Sequence, residues 1–167
     1  MSKRTTKTKP ARKAVQSLSA DKNGKRVRVG DVIVEENGIT GRVVAVDREG
    51  LLFRAFEGSP YCGGMTVGED CSNCVVLDDH DKSHGTATDS LDEKGNPIHV
   101  GCIIYDAGLG GVHGRVLTVM GDGLIFQPLP YSGVNEEPNP KPTATNCRQV
   151  IVVDDGSEIS PRRIAAV

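Results

Sequence analysis

An all-β protein of two tandem small barrels is the fold this sequence predicts, and three observations carry the prediction. The acidic part of the chain reads twice, each reading is made of short β-branched runs broken by glycine, and no stretch shows helical periodicity. The chain has 167 residues, 20 of them Gly, with three Phe, three Tyr and no Trp. That length suits one ordinary domain or two very small ones.

The repeat opens at Asp21-Lys22-Asn23-Gly24-Lys25-Arg26-Val27-Arg28-Val29-Gly30, which returns as Asp92-Glu93-Lys94-Gly95-Asn96-Pro97-Ile98-His99-Val100-Gly101, at an offset of 71. Gly41-Arg42-Val43 then matches Gly114-Arg115-Val116, and Gly50-Leu51-Leu52-Phe53 matches Gly123-Leu124-Ile125-Phe126, at an offset of 73. A two-residue insertion between the first two strands of the second unit accounts for the change. Further on, Ser59-Pro60-Tyr61 is matched to Leu129-Pro130-Tyr131, Ser72-Asn73-Cys74 to Thr145-Asn146-Cys147, and Val76-Leu77-Asp78-Asp79 to Val152-Val153-Asp154-Asp155.

Taken in order, the expected strands are residues 27–34, 41–47, 51–57 and 75–77, then 98–105, 115–120, 124–129 and 150–153. Glu49-Gly50 and Asp122-Gly123 sit between apolar runs and predict tight hairpins, because glycine supplies a positive φ without steric cost. Val43, Val46 and Leu52, with Val116, Val119 and Ile125, are the expected core positions. A unit of ~60 residues has a marginal core and exposed sheet edges, so a closed or nearly closed barrel is the economical arrangement. The expected boundaries are a flexible arm over 1–20, barrels over 21–79 and 92–156, a polar linker over 80–91 and a tail over 157–167. Residues 132–145, with Pro138, Pro140 and Pro142, read as a polar loop.

At this point the residues resemble a family. Val29-Gly30-Asp31-Val32-Ile33-Val34, followed by Gly38-Ile39-Thr40-Gly41-Arg42-Val43-Val44-Ala45-Val46, is similar to the SH3-like barrels of the KOW type. The second unit is similar through Val100-Gly101, Gly114-Arg115-Val116 and Val119, with Cys102 in place of the Asp. The resemblance implies a barrel fold and a family that includes binders of nucleic acid and of transcription or ribosomal partners.

The net charge of −2 hides a strong asymmetry. Lys3, Arg4, Lys7, Lys9, Arg12 and Lys13 give residues 1–20 a charge of +6 with no acid, whereas the remainder holds 14 basic residues against all 22 acids, −8. A basic arm with almost no large apolar residue is expected to be disordered until an anion holds it. These six cations are the expected nucleic-acid contacts, neutralising phosphates without reading sequence. The scarcity of aromatics argues against base stacking and against recognition of proline-rich peptides.

Cys62, Cys71-Ser72-Asn73-Cys74 and His80 or His84 have the ligand types of a zinc site. The competing readings are a Cys62–Cys71 disulfide and ordinary free thiols, and the expectation is no metal and no cofactor. Cys102 reads as core. Residues 108–114, Gly-rich but followed by a strand, read as a long turn rather than a phosphate cradle, which must open a helix. Asp106, His113 and Ser132 lie in loops without the spacing of a catalytic set, so no enzyme is expected. Arg42 and Arg115 occupy matching positions and read either as solvent-facing strand residues or as contacts to a partner.

No apolar run approaches the roughly 18 residues of a membrane span, and the basic amino terminus lacks the apolar core of a secretory signal. The expectation is a soluble, intracellular (cytoplasmic) binding or adaptor protein, its arm on nucleic acid and its barrels on a second partner. The alternative is a structural or assembly protein of a virion or other large complex, with the arm threading along neighbouring subunits.

Overall fold

The computed structural model describes residues 19–78, 85, 87–130 and 140–156. Among these the protein is all-β, with two three-residue 3-10 turns and no α-helix. The first repeat forms β1 (Val32–Glu35), β2 (Thr40–Val46), β3 (Leu51–Ala55), β4 (Thr66–Glu69) and β5 (Cys74–Asp78). A two-stranded ladder, β6 (Ala87–Leu91) with β7 (Pro97–His99), precedes the second set. That set is β8 (Ile103–Asp106), β9 (Val112–Met120), β10 (Gly123–Pro128), β11 (Thr143–Asn146) and β12 (Val150–Asp154).

The two five-stranded sheets have the same order, β4-β3-β2-β1-β5 and β11-β10-β9-β8-β12, and every described pairing is antiparallel. Each sheet is open: β4 and β5 stand at opposite ends and are joined by the 3-10 turn Cys71–Asn73 instead of a ladder. Part of the stretch expected as linker is strand β6, and β4 and β11 were not among the expected strands.

Equivalent hydrogen bonds fix the alignment of the repeats. Gly30 N donates to Val43 O and Gly101 N to Val116 O, while Phe56 N donates to Thr40 O and Leu129 N to His113 O. Leu129 is therefore the counterpart of Phe56, not of Ser59. The side chains of Asp70 and Asn146 cap the two 3-10 turns by accepting from Ser72 N and Arg148 N. This corrects a second match: Cys147 corresponds to Cys71, and Cys74 to Val150. The insertion lies where expected, with Glu35 and Thr40 bracketing the shorter loop and Asp106 and His113 the longer.

The hairpins are built differently from one another. In the first, Asp47 Oδ1 accepts from Glu49 N and Gly50 N, and no residue of the turn has a positive φ. In the second, Met120 pairs with Gly123, so the turn residues are Gly121 and Asp122, and the positive φ of 58° belongs to Gly121. Gly123 lies in the strand.

Val27, Ile33, Val43, Leu51, Phe53, Cys71 and Cys74 build one core. Ile98, Ile104, Val116, Leu124, Phe126 and Val150 build its equivalent. Val43 and Val116 are fully buried as expected, and Val46 and Val119 pack partly buried against their cores. Leu52 is the exception at 46% exposed, and Ile125 is half-buried. Alternation along β3 places Leu51, Phe53 and Ala55 inward, leaving Leu52 on the outer face with Arg54. Gly41 and Gly114 sit directly against Phe53 and Phe126, where a Cβ would collide with the ring. A third apolar cluster belongs to both repeats: Val32, Phe56 and Leu77 from the first meet their equivalents Ile103, Leu129 and Val153 from the second.

Candidate functional site

The six arm cations, Lys3 to Lys13, lie outside the described residues, as do His80, His84 and Ser132. The arginine pair and the cysteines lie within them.

Arg42 and Arg115 face the junction between the repeats, not solvent. Arg42 is 4% exposed; its Nε and Nη2 donate to Asp154 Oδ2 and Oδ1 at 2.8 and 2.9 Å, and its Nη1 donates to Gly30 O at 2.6 Å. Such a two-pronged, charge-assisted contact has high geometric specificity. Arg115 repeats the backbone contact, donating from Nη1 to Gly101 O at 2.8 Å. Burial, and then the like charge of Arg42, pull its pKa down to about 10, with Asp154 acting in the opposite sense. It stays charged at neutral pH. The expectation of solvent-facing strand residues is corrected on this ground: both side chains are buried and hydrogen-bonded inside the molecule. Around them, His113 is 3% exposed, its Nε2 lies 2.8 Å from Glu57 O, and its ring packs on Phe56 and Tyr105. Burial lowers the His113 pKa, and the contact with the Glu57 carbonyl opposes that only in part.

All five cysteines are free thiols. Cys71 and Cys74 are fully buried in the first core, where Cys74 Sγ lies 3.1 Å from Cys71 O, and Cys62 is half-buried at its margin. Burial pushes the Cys74 thiol up to about 12 and the Cys102 thiol up to about 11. A zinc ligand must be a thiolate, and this environment favours the protonated form. Among the described residues no group of three or more His, Cys, Asp or Glu side chains is placed to hold a metal ion.

The glycine-rich turn after β8 is occupied from within. Asp106 Oδ1 accepts from Gly108 N and Leu109 N, while Asp106 Oδ2 accepts from Thr145 Oγ1 at 2.6 Å. These amides thus point at the protein's own carboxylate.

A feature that the sequence reading passed over lies at the start of each repeat. Asp21 Oδ1 accepts from Asn23 N and Lys25 N, and its Oδ2 from Val76 N; Asp92 does the same with Lys94 N, Asn96 N and Val152 N. Each buried aspartate folds a tight turn and staples it to the last strand of its sheet. On the first turn Lys22, Lys25, Arg26 and Arg28 are all exposed. Their counterparts on the second are Glu93, Asn96, Pro97 and His99. The signal was available in the composition: counting the basic arm only to residue 20 omitted four cations in the next eight positions.

No protein-family model matches the chain, and no curated protein matches it either.

Proposed function

We propose that the chain is a non-enzymatic nucleic-acid-binding protein made of two SH3-like barrels of the KOW type. Residues 1–20 supply the phosphate contacts, and the barrels hold a second partner. The observation that carries this reading is the charge segregation, +6 in the first 20 residues against −8 in the rest. The geometry supports it by subtraction, because Arg42 and Arg115 are committed to the junction and cannot serve an external polyanion. An acidic body repels duplex DNA, so affinity has to come from the amino-terminal side of the molecule.

The test is a salt titration of binding to duplex DNA. Six phosphate contacts give a log–log slope of about −5. Deleting residues 1–18 should remove most of the affinity and leave the fold intact. The deletion stops there because Ser19 O accepts from Val27 N and Ala20 pairs with Arg26. Equal binding with and without these residues sinks the reading.

A second reading, assembly into a virion or other large complex, is favoured by the edge of the first sheet. Among the described residues no strand pairs with the outer side of β4, and Tyr61 and Met65 beside it are 99% and 61% exposed. Open edges invite pairing with another chain. Light scattering of the purified protein separates the two, a monomer in the first case and a growing assembly in the second. The first reading places the protein in the cytoplasm, the second in the particle.

A further inference from the structure

The two turns stapled by Asp21 and Asp92 share one backbone design and differ in charge. Residues 19–30 hold four cations and one acid, +3, whereas residues 90–101 hold one cation and two acids, −1. In the first turn, Val27 is buried while Arg26 and Arg28 on either side of it are exposed, as strand-like alternation requires. Lys22 and Lys25 flank them on the turn itself. The aspartate is 4% exposed and spends its carboxylate on three backbone amides, so it fixes the turn without covering the cations. Among the described residues, Glu36 borders the group and lies 3.6 Å from Lys22, a solvated pair that a stronger anion displaces readily.

We infer that Lys22, Lys25, Arg26 and Arg28 form a fixed phosphate-backbone site on the first repeat, continuing the footprint of the amino-terminal cations onto the folded body. This rests on the nucleic-acid reading above and deepens it. The amino-terminal cations supply affinity, while a turn held by hydrogen bonds to β5 sets where the body sits on the duplex. Phosphate contacts position a protein without reading bases. The second repeat lacks the site and leaves its own turn free for a different surface.

The experiment measures fluorescence anisotropy of a labelled 20-bp duplex against salt, using the full chain and three variants. One carries K22Q, K25Q, R26Q and R28Q, and the second carries glutamine at the six cations from Lys3 to Lys13. The third, R48Q with R54Q, K141Q and R148Q, removes the same charge from exposed positions elsewhere. The turn variant should lose up to ~3.6 from the log–log slope, at ~0.9 for each of four phosphates, while the control loses less than about 1. Equal losses in the turn and control variants overturn the site, because the effect is then one of overall charge. Loss with the six-cation variant and none with the turn variant also overturns it, while leaving the nucleic-acid reading intact. The reverse pattern keeps the site and removes the amino-terminal cations from the reading, and no binding of the full chain at low salt ends both. Should the fourfold variant fail to fold, R26Q with R28Q gives half the expected loss and decides the same question.

Discussion

The two halves of the molecule share one sheet order and one set of backbone hydrogen bonds, yet they treat equivalent residues unequally. Arg42 reaches across the junction to a carboxylate of the other half, whereas its counterpart Arg115 is itself partly disfavoured as a cation by Arg42. Position 40 is a threonine whose backbone is held by Ser59 Oγ, and position 113 is a histidine that reaches Glu57 of the other half. The backbone of the repeat is therefore set by features that recur: the Asp-stapled turn, the glycine against the core Phe, and the capped 3-10 turn. Side chains at the junction carry the differences.

The largest expected effect tests how independent the halves are. Phe53→Ala and Phe126→Ala each empty the centre of a core and should each cost about 3–5 kcal/mol. Because the cluster of Val32, Phe56, Ile103 and Leu129 spans both halves, we expect a single calorimetric transition in either variant. Two resolved transitions would mean that the halves melt separately.

Next comes the arginine pair. Arg42→Ala takes the paired cation from Asp154, which keeps only its hydrogen bond from Gly156 N and the more distant charge of Arg115, and should cost about 3 kcal/mol by chemical denaturation. Arg115→Ala should cost less, about 1–2 kcal/mol, since it removes a hydrogen bond to Gly101 O but also a like charge beside Arg42. Equal losses would show that the asymmetry seen in the contacts has no energetic weight.

The histidine predicts a pH dependence. Its folded pKa is depressed, so its contribution is fully present above the ordinary unfolded value of about 6.5 and is lost as pH falls from there through the folded value. Melting temperature should therefore drop between pH 7.5 and 5.5. His113→Thr, which copies position 40, should flatten that part of the profile, and an unchanged slope would assign it to other groups.

The smallest effect concerns the first half alone. Tyr61 has a φ of 64°, the only positive φ among the described non-glycine residues, and the residue is 99% exposed. Tyr61→Gly relieves that conformation and should stabilise by up to about 1 kcal/mol, read as a small rise in melting temperature. A loss of stability would indicate that the freedom glycine adds to the unfolded chain outweighs the strain it relieves.

The duplication and the strand-rich character were legible because Val, Ile and Gly recur in order at near-constant spacing. What was lost follows from local ambiguity. Leu51-Leu52-Phe53 is apolar throughout, so its inward set could be read only from Arg54, whose outward position assigns Leu52 to the same face. Strands β4 and β6, Thr66–Glu69 and Ala87–Leu91, are short and largely polar, with alternating exposure that hydropathy does not mark. Aligning cysteine with cysteine misplaced Cys74, because a thiol and Val150 serve equally as small buried groups. The pairing of Arg42 with Asp154 spans 112 residues and leaves no local trace.

The shared apolar cluster brings Val32, Phe56 and Leu77 together with their equivalents Ile103, Leu129 and Val153, so like residues from the two halves share one core, as they do in the interface of a homodimer. Joining two such subunits in one chain frees the contact from mass action, so dilution no longer separates them. It also ends an obligation. In a homodimer every substitution appears twice, and a cationic face gained by one subunit is imposed on its mate. Within a fused pair, one copy of the turn can turn basic while the other stays acidic, and two surfaces of one backbone design become free to serve different ends.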